Sequence, residues 1–272
     1  MDKIQLGIVG AGLIWELTHK QKLKMLKSKY EIRAFSVRSE STKYKLRKEY
    51  PDSEILSDYR EMLRLNYLDA IVVLTPIQLN ASVTIEALRA DKYVFVEKPV
   101  ATRIDVVKQI IELEKKKQKK VFVLEQIRYN ENLIKLKQIL DEGKIGSVVS
   151  YERVNHGRID EGKNNLGGFG NTDWRINPGF PLGSLFDGGI HTIAQLSYLF
   201  SKPVSVYALG SKIRSGFGEY DHILMAFSHP DGIKGTFSFA DYLDGHNNYF
   251  IIRGTKGTIQ FNTDFRTALS VT

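Results

Sequence analysis

The sequence predicts an α/β protein in which a doubly wound parallel sheet is followed by an α+β domain with a large, open, mainly antiparallel sheet. Up to about residue 124, short apolar runs such as AIVVL at 70–74 alternate with helical patterns. Continuous β-branched runs are typical of parallel strands buried on both faces. Beyond that point strands dominate and helices become rare. We therefore place one domain at residues 1–124 and a second at residues 125–272.

The elements of the first domain follow from these runs and from the patterns between them. Its predicted strands are Ile4–Val9, Ile32–Val37, Glu54–Leu56, Ala70–Leu74, Tyr93–Val96 and Val121–Leu124. Its predicted helices are Leu13–Lys29, Ser41–Tyr50, Asp58–Leu65, Asn80–Ala90 and Ile104–Lys117. Thr102 and Asp105 have the spacing of a capping box for the last helix.

In the second domain, helical patterns cover Glu131–Glu142 and about Leu185–Leu199. The predicted strands are Val148–His156, Val204–Lys212, Asp221–Ser228, Ile233–Ala240, Asn248–Gly254 and Thr258–Phe261. Pro230-Asp231-Gly232 predicts a tight hairpin turn. One long loop, rich in Gly, Asn and Pro, spans residues 157–183, and loops of that length are usually functional or disordered.

The composition excludes several classes of function. The chain has 272 residues, a net charge of +8 and no cysteine, so disulfides and thiolate chemistry are excluded. The first strand begins at Ile4, which leaves no room for a signal peptide, and no apolar run approaches the roughly 20 residues of a membrane span. We expect a cytoplasmic protein without membrane contact. The basic cluster Lys115–Lys120 ends a predicted helix, which favours a solvated helix end over nucleic-acid contact.

The first strand runs into Gly-Ala-Gly-Leu-Ile-Trp at 10–15 and then into a helix, which is the strand–turn–helix context of a dinucleotide fingerprint. Gly10 permits the tight turn, and Gly12 lets the backbone approach a pyrophosphate. Leu13 and Ile14 continue this loop. Trp15 occupies the third glycine position, so either the helix stands off the sheet there or the indole faces outward. A Rossmann-type nucleotide-binding domain is the favoured interpretation, and a simple turn is the alternative.

The end of the second strand indicates which dinucleotide is bound. Sheets that bind NAD usually carry a carboxylate there, whereas this chain has Arg38 and Ser39. A guanidinium and a hydroxyl suit a 2′-phosphate, so NADP is favoured over NAD. The alternative is that Arg38 is an exposed surface residue.

The strand YVFV at 93–96 is followed by Glu97, Lys98 and Pro99. Because ligands of doubly wound sheets bind beyond the carboxyl ends of the strands, both charged residues are expected to face a cofactor. The alternative is an ion pair at a domain boundary. In the second domain, Asp187 and His191 stand four residues apart on one predicted helix face, where they can hydrogen-bond or meet one ligand. A structural histidine is the alternative there, and a third metal ligand is missing, so we predict no metal site.

Taken together, these residues resemble the family of glucose–fructose oxidoreductase and inositol dehydrogenase, the Gfo/Idh/MocA-type oxidoreductases. The resemblance rests on the GxG opening, on Glu-Lys-Pro at 97–99 and on Asp-x-x-x-His at 187–191. Thr-Pro at 75–76, Arg-Tyr at 128–129, GKIGSV at 143–148, DWR at 173–175 and RGTKGTI at 253–259 support it. It implies a nucleotide-binding domain, an open-sheet domain, and Lys98, Asp187 and His191 around a nicotinamide. Asn80 departs from the family, which commonly has histidine at this position.

The predicted activity is reversible hydride transfer between NADP(H), or NAD(H), and a carbinol carbon of a sugar, cyclitol or sugar derivative. His191 would act as general base, Lys98 would stabilise the alkoxide, and Asp187 would orient and tune that pair. The cofactor-binding candidates are Gly10, Gly12, Leu13, Ile14, Arg38, Ser39, Thr75, Pro76, Asn80, Glu97 and Lys98. The substrate-binding candidates are Arg128, Asn155, Trp174 and Arg175. Trp174 offers a flat face to a sugar ring, although core packing explains it equally well.

Two rivals are a non-catalytic NAD(P)-sensing regulator and an NAD-dependent glycosidase of the same fold. The second sheet is expected to leave one apolar face uncovered, which predicts a homo-dimer or homo-tetramer formed through that face.

Overall fold

A computed structural model describes residues 2–158, 168–180, 183, 185–262 and 270–271 of the chain. Part of the predicted loop, including residues 159–167, lies outside these residues. The chain divides into two compact units, residues 1–124 and residues 125–272.

The first unit is a six-stranded parallel sheet in the order β3-β2-β1-β4-β5-β6. Its strands are β1 (Ile4–Val9), β2 (Tyr30–Ser36), β3 (Glu54–Leu56), β4 (Ala70–Val73), β5 (Tyr93–Glu97) and β6 (Val121–Leu124). Its helices are α1 (Lys20–Met25), α2 (Glu40–Glu49), α3 (Tyr59–Leu63), α4 (Ile77–Arg89) and α5 (Ile104–Lys117), with a π-helical turn at Trp15–His19 before α1. The predicted doubly wound sheet is confirmed: β4 is fully buried and β1 mostly buried, as their apolar runs indicated, and β5 is buried at Val94 and Val96.

Two details of the first unit differ from the sequence prediction. The helix predicted at Leu13–Lys29 is shorter and begins as the π-helical turn. The predicted capping box is wrong, because α5 follows Arg103 and no side chain caps its first turn. The Asp105 carboxylate instead accepts hydrogen bonds from Arg103 Nε at 3.0 Å and Nη2 at 2.8 Å, an ion pair that leaves Thr102 outside the cap.

The second unit is a seven-stranded mixed sheet in the order β13-β12-β11-β7-β10-β9-β8. Its strands are β7 (Val148–Arg158), β8 (Ser205–Ser211), β9 (His222–Ser228), β10 (Lys234–Ala240), β11 (Tyr242–Gly254), β12 (Thr258–Asn262) and β13 (Ser270–Val271). Its helices are α6 (Glu131–Asp141), α7 (Asp173–Ile176) and α8 (Ile190–Leu199), with 3₁₀ turns at Gln126–Tyr129 and Phe169–Asn171 and a π-helical turn at Leu185–Gly189. The neighbours β7 and β10 run parallel, and the other pairs are antiparallel.

The core of the second unit lies between this sheet and the helices α6 and α8. Leu133 and Leu136 of α6 and Leu196 of α8 pack with Phe237 and Phe250 of the sheet. Within the described ranges, no helix is long and apolar enough to cross a bilayer. The described part of the chain also contains no group of three His, Asp or Glu side chains arranged as metal ligands.

Candidate active site

The loop after β1 has the geometry that the glycine pattern predicts. Gly10 has a φ of +92°, its N–H donates to Ser36 O at 3.0 Å, and a Cβ built there would lie 2.6 Å from Leu74 O. Only glycine fits such a turn without strain. A Cβ at Gly12 would meet nothing within 4 Å. The backbone at Gly12 therefore faces open space, while Leu13 and Ile14 are half-buried.

Trp15 decides between the two orientations that the sequence left open. Its side chain is 0% exposed and packs edge-on against Phe35, with a ring-centroid distance of 5.3 Å. Tyr50 is the second ring neighbour, and burial raises the pKa of its phenol to about 12. The indole thus faces inward, and the chain enters α1 through the π-helical turn.

Apart from Asn80, which lies on α4, the predicted cofactor residues lie at or just after the ends of strands at one edge of the first sheet. Because β2, β1, β4 and β5 are parallel neighbours, their carboxyl ends lie side by side. The GxG loop follows β1, the pair Arg38-Ser39 follows β2, Thr75-Pro76 follows β4, and Glu97 ends β5. Arg38 is exposed, and Ser39 Oγ is the N-cap of α2, accepting from Thr42 N–H at 3.5 Å.

Glu97 is paired with a histidine that the sequence analysis did not single out. Its Oε1 lies 2.6 Å from His19 Nε2, and its Oε2 accepts the Lys98 N–H at 3.2 Å. Both side chains of the His19–Glu97 pair are largely shielded from water. Glu97 therefore links the helix that follows the GxG loop to the segment that carries Lys98.

Asn80 clamps the main chain on both sides of Lys98. Its Nδ2 donates to Glu97 O and to Pro99 O, each at 3.0 Å, and its Oδ1 accepts from Thr75 Oγ1 at 2.8 Å. The side chain is 0% exposed. Both amide hydrogens are thus used within the protein. A direct contact of Asn80 with the cofactor stays a prediction, and the structure shows a positioning role for this residue.

In the second unit, His191 is hydrogen-bonded to a carboxylate that the sequence did not suggest. His191 Nδ1 lies 2.8 Å from both carboxylate oxygens of Glu125. Within the described ranges, no hydrogen bond joins His191 to Asp187. Asp187 lies in the π-helical turn at 185–189, and its carboxylate accepts from Arg175 instead.

Asp187 belongs to a small pocket with two of the predicted substrate residues. Arg175 Nε donates to Asp187 Oδ2 at 2.6 Å, and its guanidinium lies 4.0 Å from the centre of the Trp174 ring. The pocket is lined by Trp174, Arg175, Pro178, Phe180, Gly183, Asp187 and Phe217. Flat apolar surfaces and one charged pair therefore meet in this pocket.

The other two predicted substrate residues contact side chains of α8. The Arg128 guanidinium lies 4.6 Å from the centre of the Tyr198 ring, and Asn155 Nδ2 donates to Thr192 Oγ1 at 3.4 Å. Glu125 and His19 are the residues that sequence reasoning missed. Glu125 directly follows β6 just as Glu97 ends β5, so its place after a strand was the available signal. For His19 the sequence offered no comparable signal.

The comparisons with known proteins identify the family. A profile described as "Oxidoreductase family, NAD-binding Rossmann fold" matches residues 4–125, and one described as "GFO/IDH/MocA C-terminal domain" matches residues 133–260. The two matches cover both units, and the chain belongs to the GFO/IDH/MocA family of oxidoreductases.

Three similar proteins illustrate the match. An uncharacterized oxidoreductase of Schizosaccharomyces pombe is 28% identical over 210 residues, covering 76% of this chain and 54% of the relative. The scyllo-inositol 2-dehydrogenase (NADP(+)) IolW of Bacillus subtilis is 26% identical, covering 76% of this chain and 55% of the relative. The crystal structure of an oxidoreductase from Thermotoga maritima is 30% identical with a TM-score of 0.87, covering 95% of this chain and 78% of that one. The match thus spans about half the length of the two curated relatives.

Proposed function

We propose that this protein is an NAD(P)-dependent oxidoreductase that interconverts a hydroxyl and a carbonyl carbon of a sugar, cyclitol or sugar derivative. The observation that carries the proposal is the family match over both units, which joins an NAD-binding Rossmann domain to the second domain of the same family. The geometry at the strand ends of the first unit supports it independently.

The residues of the first unit fit a dinucleotide. The open space at Gly12 permits close approach of a pyrophosphate to the backbone, and the turn at Gly10 directs the chain away from the sheet. Arg38 is exposed beside Ser39, where a 2′-phosphate of NADP would be held by charge-assisted hydrogen bonds. The NADP(+) in the name of IolW supports this choice. When bound, the nicotinamide accepts or donates the hydride.

The chain's own residues would manage the proton and the developing charge. In the oxidative direction, His191 accepts the proton of the substrate hydroxyl as general base. Asn80 fixes the main chain on both sides of Lys98, because it donates to the carbonyl groups of Glu97 and Pro99. Lys98 stabilises the negative charge that develops on the substrate oxygen.

The substrate class is inferred from the pocket of Trp174, Arg175 and Asp187. Aromatic surfaces beside a charged hydrogen-bonding pair suit a ring that is apolar on its faces and carries hydroxyl groups at its rim. The relative IolW is named for scyllo-inositol, a cyclitol of this description.

The test is the absorbance of reduced nicotinamide after mixing the protein with NADP or NAD and a panel of sugars, cyclitols and nucleotide sugars. We expect net reduction of the cofactor with at least one member of the panel, at a rate that saturates with substrate. Tight cofactor binding without net reduction or net oxidation of the cofactor by any member of the panel would favour the regulator or the glycosidase and contradict the proposal.

A further inference from the structure

The second unit contains a buried carboxylate to which the proposed reaction gives no role. Glu125 is 9% exposed and lies directly after β6. Both of its oxygens lie 2.8 Å from the Nδ1 of His191, the proposed general base. A buried carboxylate beside a titratable ring is costly unless both groups are well hydrogen-bonded.

The position of this carboxylate is fixed from the backbone side. Glu125 Oε1 also accepts the N–H of Ile127 at 3.1 Å and thereby caps the 3₁₀ turn at Gln126–Tyr129. The carboxylate is held between a main-chain donor and the imidazole. His191 lies in the first turn of α8, so a helical turn holds each partner in place, Glu125 as N-cap and His191 within the helix.

The contact determines which nitrogen of His191 carries the hydrogen. An ionised carboxylate only accepts hydrogen bonds, so Nδ1 must be the donor. In the neutral ring, Nε2 then keeps its lone pair and is the proton-accepting atom. When Nε2 takes the proton of a substrate hydroxyl, the ring becomes an imidazolium whose charge lies beside the Glu125 carboxylate. The carboxylate itself gains no proton.

We propose that Glu125 is the positioning residue that sets the tautomer and orientation of His191, the role that the sequence suggested for Asp187. This inference rests on the proposed function only for the claim that His191 acts as base. Asp187 accepts a hydrogen bond from Arg175, which places its carboxylate in the pocket with Trp174. Asp187 is thereby assigned to the substrate pocket.

Glu125→Gln is the decisive variant because it removes the negative charge and one acceptor but keeps the cap of the 3₁₀ turn. The amide oxygen replaces Oε1 and still accepts the Ile127 N–H. The NH₂ group then replaces Oε2, so one of the two acceptors at 2.8 Å from Nδ1 becomes a donor, which weakens the preference of Nδ1 for the hydrogen. A ring with its hydrogen on Nε2 cannot accept the substrate proton at that atom. Glu125→Asp keeps the negative charge on a shorter side chain.

Two measurements on each variant test the proposal. Nitrogen NMR of protein labelled at its six histidines, with the His191 signals assigned from His191→Asn, reports the tautomer. We expect hydrogen on Nδ1 in the wild type and a larger share of it on Nε2 in Glu125→Gln. We expect kcat to fall on the order of 10²–10⁴-fold in Glu125→Gln, with cofactor Kd and thermal midpoint near wild type, and to recover partly in Glu125→Asp.

The outcomes separate this inference from the proposed function. A wild type with hydrogen on Nε2, or a Glu125→Gln protein with unchanged tautomer and unchanged kcat per folded molecule, overturns the role of Glu125. A loss of kcat that follows only a loss of folded protein also overturns it. If no substrate is turned over by the wild type, the proposed function fails, while the NMR spectra still decide whether Glu125 sets the tautomer.

Discussion

Replacing Asn80 by alanine should destabilise the first unit and disturb the segment around Lys98. The Asn80 side chain is 0% exposed and makes three hydrogen bonds, to Glu97 O, Pro99 O and Thr75 Oγ1. Alanine removes all three and leaves two carbonyl groups and one hydroxyl without this partner. The contact with Pro99 O is buried, and those with Glu97 O and Thr75 Oγ1 are partly buried.

The magnitude follows from the number of groups left unpaired. A buried polar group that loses its hydrogen bond costs about 1–3 kcal/mol, and a partly buried hydrogen bond contributes about 0.5–1.5 kcal/mol, so the three losses together cost at least about 2 kcal/mol. The cavity left by the missing amide adds to this. Because whole domains are stable by only about 5–15 kcal/mol, Asn80→Ala should lower the free energy of unfolding by a large and easily measured fraction.

Urea denaturation gives this difference, and a control on the same helix makes it specific. Thr84 also lies on α4 and is 0% exposed, but its hydroxyl has no hydrogen-bond partner in the described structure. Thr84→Val, which keeps the shape, should be neutral or stabilising. If Asn80→Ala and Thr84→Val differ by less than about 0.5 kcal/mol, the hydrogen-bonding account of Asn80 is incorrect.

Two further predictions concern the cofactor and the second sheet. Arg38→Asp should reverse a preference for NADP over NAD of about tenfold to a hundredfold, because a charge-assisted contact contributes roughly 1.5–3 kcal/mol; equal Kd values of the wild type for both cofactors would contradict this. Tyr207, Leu209 and Leu224 are 67%, 55% and 45% exposed, and Leu209 pairs with Leu224 across β8 and β9. We propose that this face forms a homo-dimer, and that Leu209→Glu yields the 31.0 kDa monomer in light scattering. A wild type that is monomeric at micromolar concentration would argue against it.

Much of the fold was predictable because its determinants are local. The strand patterns predicted the bounds of β1, β3 and β6 as the structure has them, and the helical pattern predicted those of α5. For β1, a parallel strand buried on both faces leaves a continuous apolar run that can be recognised without knowing its partners, whereas the edge strands β3 and β6 are only partly buried. The glycine pattern at 10–12 was informative for the same reason, since the turn at Gly10 depends on its own φ and on one nearby carbonyl.

The contacts of the candidate site were not predictable, because they join residues that are distant in the sequence. His191 and Glu125 are 66 residues apart, and His19 and Glu97 are 78 apart. The hydrophobic periodicity of a sequence gives no information about pairs of residues so far apart. The four-residue spacing suggested that Asp187 and His191 can hydrogen-bond, but Asp187 accepts from Arg175 and His191 Nδ1 lies beside Glu125. The spacing within one helix gives no information about these competing partners.

The most direct test of the central claim compares cofactor binding with turnover in Lys98→Met, on one preparation. Methionine has similar length but lacks the charge that stabilises the alkoxide. We predict an unchanged Kd for the cofactor, an unchanged thermal midpoint, and a kcat reduced on the order of 10²–10³-fold. Adding His191→Asn should reduce the rate little beyond the poorer single variant, because the proposed base and the proposed charge-stabilising group serve the same reaction step. Full turnover per folded molecule in Lys98→Met would contradict the claim that this lysine is catalytic.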